Sequence, residues 1–201
     1  LNERPESGEE TLTRHERRKL RTRCQLKDAT LELVLEKGYD EVTIQDIVDR
    51  ADLGRGTFYV HYRDKQEILW DIIQDGLRAS MEEGSRRAAQ EGDRPGYVGY
   101  LITFETAARH QDLYRVMLGS KGSALITHRV ADYLAAAMQQ GIESGGYMSE
   151  FDQPAEILAQ YAVGALMRLT LWWLETPNEY SPKEMADMLY GVIHGDKPPG
   201  G

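Results

Sequence analysis

Three residues, Asp52-Leu53-Gly54, separate two short helical segments, and that spacing constrains the fold more than any other feature of the chain. Before the break, Ile44, Ile47, Val48 and Ala51 recur at helical spacing. Thr43, with Asp46 three residues later, has the arrangement of a capping box, in which side chains satisfy the free amides of a first turn. After the break, Arg55 to Tyr62 begins a second short helix. A neighbouring segment from about Leu20 to Lys37 places Leu26, Ala29, Leu33 and Val34 on one face with Thr30 among them, and Gly38 supplies its stop. Helix, three-residue turn, helix is the geometry in which a second helix enters a DNA major groove while the first braces it across the backbone.

The side chains suit that geometry. Phe58 and Tyr62 are four apart and share a side, which assigns them to packing against Ile44, Ile47 and the first helix. Arg55, Thr57, Tyr59 and His61 then fall largely on other faces, where guanidinium, hydroxyl, phenol and imidazole groups reach base edges or phosphates. Gly56 permits close backbone approach. Thr43 offers a hydroxyl and free amides to a phosphate oxygen, its alternative role being that of a simple cap. Lys65 offers a point charge, its alternative being an ordinary surface lysine.

Beyond this head, Asp64 opens a fourth helix with Glu67 at capping-box spacing, and Ile68, Leu69, Ile72, Ile73 and Leu77 give it an apolar face to about Glu83. Gly84 to Gly96 lacks sustained periodicity and reads as containing a loop. Further helices are expected at about Tyr97–Arg109, Gln111–Leu118, Ser123–Ile142, Pro154–Glu175 and Pro182–His194. Asp152 or Gln153 precedes Pro154 as a cap, and Ser181-Pro182-Lys183-Glu184 combines an N-cap, a first-turn proline and a capping-box Glu. Gly119, Gly145 and Gly195 stand where left-handed C-caps form. No segment alternates as a strand does. The expected fold is all-α, with about nine helices in total: a small helix-turn-helix head, then a larger helical body. The expected divisions are a flexible arm at 1–18, the head at 19–65 and the body at 66–201.

Net charge of -9 over 201 residues argues, taken whole, against a nucleic-acid partner. Its distribution reverses that inference. Residues 11–65 hold twelve basic and ten acidic side chains, whereas residues 66–201 hold eleven and nineteen. Seven of the basic residues, Arg14, Arg17, Arg18, Lys19, Arg21, Arg23 and Lys27, precede or open the first helix, as a solvated face or as a phosphate-contacting arm. The longest mostly apolar stretch, Tyr161 to Leu174, is interrupted by Arg168 and falls short of the ~20 residues that span a bilayer, so no membrane association is expected. The first residues are polar and acidic rather than a secretory signal, and the single cysteine, Cys24, excludes an intramolecular disulfide. A reducing, cytoplasmic location is expected. His15, His61, His110, His128 and His194 have no metal-ligand spacing, and neither a nucleophile motif nor a Gly-rich phosphate loop is present. Catalytic activity, a metal and a cofactor are not expected.

Residues 19–70 resemble the TetR family of bacterial transcriptional regulators. The segments that carry the resemblance are Glu36-Lys37-Gly38-Tyr39-Asp40-Glu41-Val42-Thr43-Ile44-Gln45-Asp46-Ile47 and Gly54-Arg55-Gly56-Thr57-Phe58-Tyr59-Val60-His61-Tyr62-Arg63-Asp64-Lys65. The resemblance implies DNA contact by Thr43, Arg55, Thr57, Tyr59, His61 and Lys65, core positions for Phe58 and Tyr62, and a C-terminal region that binds a small effector and forms a homodimer on double-stranded operator DNA. Asp52 stands where many relatives have glycine, and an aspartate tolerates the unusual backbone angles of such a turn.

The body resembles a TetR-type C-terminal domain more weakly, through Tyr161 to Glu175 and the Ser181-Pro182-Lys183-Glu184-Met185 start. In that family the last two long helices form the dimer's four-helix bundle. Here Ala162, Gly164 and Ala165 permit close approach, and Ile157, Tyr161, Leu189 and Val192 complete the seam or else belong to an intramolecular core. An unidentified small-molecule effector is expected among Tyr100, Phe104, Tyr114, Met117, Tyr161, Met167, Trp172 and Trp173, with His110, His128 and Arg168 as polar partners; the alternative is that these apolar groups are core. Arg168, within an apolar run, must pair with an acid, reach solvent or meet an anionic ligand. A helical scaffold acting through protein partners is the competing reading. It leaves Arg55, Thr57, Tyr59 and Lys65 without a purpose.

Overall fold

The computed structural model describes residues 13–91, 96–119, 124–146, 148 and 151–195, and among them every regular element is a helix. In chain order these are α1 (Arg14–Lys37), α2 (Ile44–Arg50), α3 (Arg55–His61), α4 (Lys65–Glu91), α5 (Tyr97–Arg109), α6 (Gln111–Leu118), α7 (Ala124–Glu143), α8 (Ala155–Glu175) and α9 (Pro182–His194). The all-α expectation holds.

Helix α1 begins earlier than apolar periodicity suggests. The Thr13 hydroxyl accepts from the Glu16 amide at 3.2 Å, and the Glu16 carboxylate accepts from the Thr13 amide at 2.8 Å, a reciprocal cap that starts the helix within a run of charged residues. Residues 13–18 are therefore a helical start rather than part of a flexible arm; residues 1–12 of that arm lie outside the described residues. The boxes at Thr43–Asp46 and Ser181–Glu184 both form. That of α4 is partial: Asp64 caps the amides of Gln66 and Glu67, but the Glu67 carboxylate turns to the Arg63 amide at 2.7 Å. Asp52 adopts φ 52° in the turn between α2 and α3, the left-handed conformation expected of it. Gly119, at φ -90°, is not a left-handed cap, whereas Gly145 and Gly195 both have positive φ.

Helix α4 runs past its expected end near Glu83 to Glu91, and residues 92–95 of the stretch expected to contain a loop lie outside the described residues. Alanines 88 and 89 favour the helix, Arg86 and Arg87 pair with Glu83 one turn back, and Arg87 also reaches Glu105 on α5 at 2.8 Å. This long helix belongs to two apolar cores. The first joins Leu26, Leu33 and Val34 of α1 with Ile47 and Val48 of α2, Phe58 and Tyr62 of α3, and Ile68, Leu69 and Ile73 of α4; Met117, Ile126 and Val130 from α6 and α7 complete it. The second joins α5, α8 and α9 through Phe104, Leu158, Ala162, Leu166, Met185, Leu189 and Ile193. Burying each large side chain contributes about 1.5–3 kcal/mol. By length and composition α8 is apolar enough to cross a bilayer. Its Leu158, Ala159, Ala162, Val163 and Leu166 face is buried against neighbouring helices instead.

Polar contacts fasten the head to α4. Asp71 accepts from Arg23 Nη2 at 2.7 Å and from the Tyr62 hydroxyl at 2.7 Å, and pairs with Lys27 Nζ at 2.8 Å. Burial raises the Asp71 carboxyl, but Lys27, Tyr62 and Arg23 together outweigh it and hold the group below its ordinary range. A carboxyl depressed on folding contributes stability above its unfolded value and loses it as pH falls through the folded one. Asp71→Ala should lower folding stability by about 1–2 kcal/mol, discounted for partial exposure, as read by thermal melting at neutral pH. The deficit relative to the native chain should shrink in strong acid; a pH-independent deficit contradicts this.

Candidate nucleic-acid interface and interior cavity

Phe58, fully buried, and Tyr62, 3% exposed, anchor α3 from below. The opposite face presents Arg55, Gly56, Tyr59 and Val60 to solvent, with Thr57 and His61 half-buried at its margins. Arg55 Nη2 lies 3.4 Å from the Tyr59 hydroxyl, and the Arg55 guanidinium carbon lies 5.9 Å from that ring's centre. The pair therefore forms one planar, cationic and hydrogen-bonding surface one helical turn long. Val60, 73% exposed, was not anticipated. An exposed β-branched residue beside Tyr59 was the available signal, since methyl groups on such a helix meet thymine methyls.

Three of the expected contacts are employed differently from a free phosphate ligand. Lys65 Nζ donates to the carbonyls of Tyr39 at 3.0 Å, Asp40 at 3.1 Å and Val42 at 3.0 Å, and sits 4.4 Å from the Tyr39 ring centre. All three ammonium hydrogens stitch the loop before α2, a structural task beside the phosphate contact expected of this charge. The Thr43 hydroxyl and amide both donate to Asp46, at 2.7 and 2.8 Å, so the amides left at this helix start are those of Ile44 and Gln45. Lys37 pairs with the same carboxylate at 2.9 Å, and these bonds hold Asp46 well below the usual carboxylate range. His61 has its Nδ1 buried with no hydrogen-bond partner among the described residues. Burial, then the charges of Lys19 and Arg23, lower its imidazole below the ordinary 6.5.

Of the seven basic residues gathered around α1, Arg23 and Lys27 are spent on Asp71 and Asp75 of α4. Arg14, Arg17, Arg18, Lys19 and Arg21 are exposed along the helix.

A cavity of about 620 Å³ opens between α4, α5, α6, α7 and α8. Of the residues expected to meet an effector, Tyr100, Tyr114, Met117 and Met167 line it. The others do not. Phe104 is fully buried in the second core, edge-on to Trp173 at 5.6 Å. Trp172 is half-buried against the same core, and Trp173 donates to the Tyr180 carbonyl at 2.9 Å. His110 is exposed at the α5–α6 junction, where it ends one helix and starts the next. His128 is exposed and lies 3.6 Å from Asp132 on its own helix. Tyr161 and Arg168 face outward on α8, because positions four and seven apart on this helix share the solvent side. The unanticipated wall is α4 itself, through Leu77, Ser80, Met81, Gly84 and Ala88. Its signal was the spacing of Ser80, Gly84 and Ala88, four apart, which keeps one face of a long helix low and leaves space above it.

The expected dimer seam divides. Ile157, Tyr161 and Gly164 are exposed along one face of α8, Ala165 is half-buried beside them, and Val192 on α9 is 75% exposed. A Cβ added at Gly164 would meet nothing within 4 Å. Leu189 is 2% exposed inside the second core, because α9 turns that face toward α5; it is removed from the seam. Cys24 is exposed on α1. Among the described residues, no group of three or more His, Cys, Asp or Glu side chains is arranged to hold a metal.

Residues 26–72 match the family model described as "Bacterial regulatory proteins, tetR family", and residues 97–195 match a TetR model described as "Transcriptional regulator C-terminal region". The chain belongs to the TetR family of transcriptional regulators. It is 43% identical to the HTH-type transcriptional regulator YxbF of Bacillus subtilis (strain 168) over 85% of its own length, and it spans 44% of that relative. Among solved structures it resembles a TetR transcriptional regulator from Streptococcus agalactiae 2603V, with 19% identity, a TM-score of 0.69, and coverage of 89% of this chain and 97% of the other. It also resembles Thermus thermophilus FadR, a TetR-family repressor in complex with lauroyl-CoA, with 22% identity, a TM-score of 0.59, and coverage of 89% and 100%.

Two outcomes follow from this geometry. Lys65→Met should lower thermal stability by about 1–3 kcal/mol through its three orphaned carbonyls while leaving the salt dependence of DNA binding unchanged; a log–log slope reduced by about 0.9 would instead mark a phosphate contact. Because protonating His61 is disfavoured in the folded head, its contribution to stability is full above its unfolded value near 6.5 and declines as pH falls. His61→Gln should flatten the fall in melting temperature between about pH 7 and about pH 5, and an unchanged profile would contradict the assignment.

Proposed function

We propose that this chain is a sequence-specific DNA-binding repressor, active as a homodimer on a palindromic operator and released when a small molecule fills the cavity. The observation that carries the reading is the exposed Arg55–Tyr59 surface with Val60 and Gly56, held by a buried Phe58 and Tyr62. Groups of this kind have no structural task on the outer face of a seven-residue helix, and they match what the major groove displays. Residues 19–65 are the DNA-contacting head and residues 66–201 the effector-binding and dimerising body. The acidic body repels the duplex and confines contact to the heads, a division suited to the cytoplasm, where the duplex lies.

One α3 contacts too few bases for a specific site, so two heads are required. The exposed α8 face of Ile157, Tyr161 and Gly164, with Val192 of α9, supports a two-fold interface there. Arg168 continues that face one turn on and is placed to pair with an acid of the second copy. Release follows from α4. Its first half is clamped to the head at Asp71, and its second half is a wall of the cavity, so an occupied cavity favours a different setting of α4 and hence of the two reading helices. The repressor with lauroyl-CoA supports the reading of this interior as an effector site. No catalytic role is proposed.

The test is selection of bound duplexes from a random pool, followed by titration. Selection should yield an inverted repeat. Arg55→Ala or Tyr59→Ala should weaken binding to it by about tenfold or more while sedimentation still reports a dimer. Unchanged affinity in both variants would defeat the assignment.

A further inference from the structure

The cavity wall carries an unusual chemical bias that fixes what it can hold. Among the described residues lining its 620 Å³ there is no Asp, Glu, Lys or Arg. His194 also lines it, stacked on Tyr190 with ring centres 4.1 Å apart. An anionic head drawn into this space would lose its hydration without meeting a fixed cation among the described lining residues, which is the costly way to bury a charge. A neutral carbonyl meets no such penalty, provided that a donor awaits it.

Three of the lining hydroxyls are already committed. Ser85 gives its hydroxyl hydrogen to the Met81 carbonyl at 3.0 Å, Thr103 to Gly99 at 2.9 Å and Thr170 to Leu166 at 2.8 Å, so these three present only acceptors to the cavity. Tyr114 of α6 lines the cavity and makes no side-chain hydrogen bond to a described residue, so its phenol is available there as a donor. Burial, partly opposed by Arg109, pushes that phenol up to about 12, so it stays a neutral donor throughout the physiological range. Around it Leu77, Met81 and Met117 supply apolar, deformable surface suited to a chain or ring.

We propose that the cavity binds an uncharged, mainly apolar molecule whose carbonyl or ether oxygen accepts a hydrogen bond from Tyr114, in preference to a free carboxylate or a coenzyme A thioester. The proposal rests on the reading of this cavity as the effector site. It narrows the class: esters, ketones, lactones and amides of drug-like or medium-chain size fit both the volume and the wall.

The experiment holds the chain constant and changes the head group. Methyl laurate, laurate and lauroyl-CoA are titrated into the purified full chain by calorimetry, and each is added to the selected operator complex in a mobility-shift assay. The expected order places methyl laurate about tenfold or more ahead of the other two. Tyr114→Phe should weaken methyl laurate by about three- to tenfold, the worth of one neutral hydrogen bond, with the melting temperature of the free chain preserved. Tighter or equal binding of laurate or lauroyl-CoA, binding of none of the three, or a Tyr114→Phe chain with undiminished affinity would each overturn the proposal. Binding of the ester without release of DNA leaves the ligand class standing and removes the effector reading. Release by the anions alone does the reverse.

Discussion

Asp71 takes Arg23, Lys27 and the Tyr62 hydroxyl onto one carboxylate, and through it α4 is locked to both α1 and α3. The rest of the molecule is arranged around that fixture. The three helices of the head enclose Phe58, Leu26 and Ile47, yet their core is closed only when Ile68, Leu69 and Ile73 of α4 lie across it. Arg129 of α7 stands 4.4 Å from the Trp70 ring centre, and Trp70 meets Tyr133 edge-on at 5.9 Å, so the same stretch of α4 is held from the body side too. A helix gripped at one end by both regions cannot shift at its far end without cost to the head. That is the physical content of coupling between an interior ligand and an external reading surface.

Two chemistries are kept apart by this layout. The reading surface is cationic, planar and wet, with Arg55 and Tyr59 able to pair with base edges. The cavity is apolar and, among its described lining residues, lacks a fixed charge of either sign. On the function proposed above, DNA and effector compete through the setting of α4 rather than by occupying a common site.

The head was readable in the sequence because its signals are local. Thr43–Asp46, the Asp52 turn and the four-residue spacing of Phe58 and Tyr62 each act within one or two helical turns, and each took the form expected. The start of α1 was legible too, but in the wrong register of evidence: Thr13–Glu16 is a capping box followed by charge, and apolar periodicity does not begin until later. Lys65 illustrates the limit. Its three carbonyl partners are more than twenty residues away in sequence, and no local pattern distinguishes such a lysine from a surface one. The cavity fared worst for the same reason. Phe104 and Tyr161 have the composition of ligand-binding residues, but which face of a helix looks inward depends on neighbours that pack from far along the chain, and α4 was expected to end near Glu83, short of the Gly84 and Ala88 part of the wall. Leu189 and Val192, three apart on α9, were assigned to one seam, and the packing of α5 separates them.

Cys24, the single cysteine and exposed on α1, offers a direct reading of the central claim. A spin label there reports the distance between the two heads of a dimer by pulsed dipolar spectroscopy. With the cavity saturated, as verified by calorimetry with methyl laurate, the distance distribution should shift away from that of the operator-bound dimer. An identical distribution in the saturated and operator-bound states, or no dipolar coupling between copies, would contradict the account.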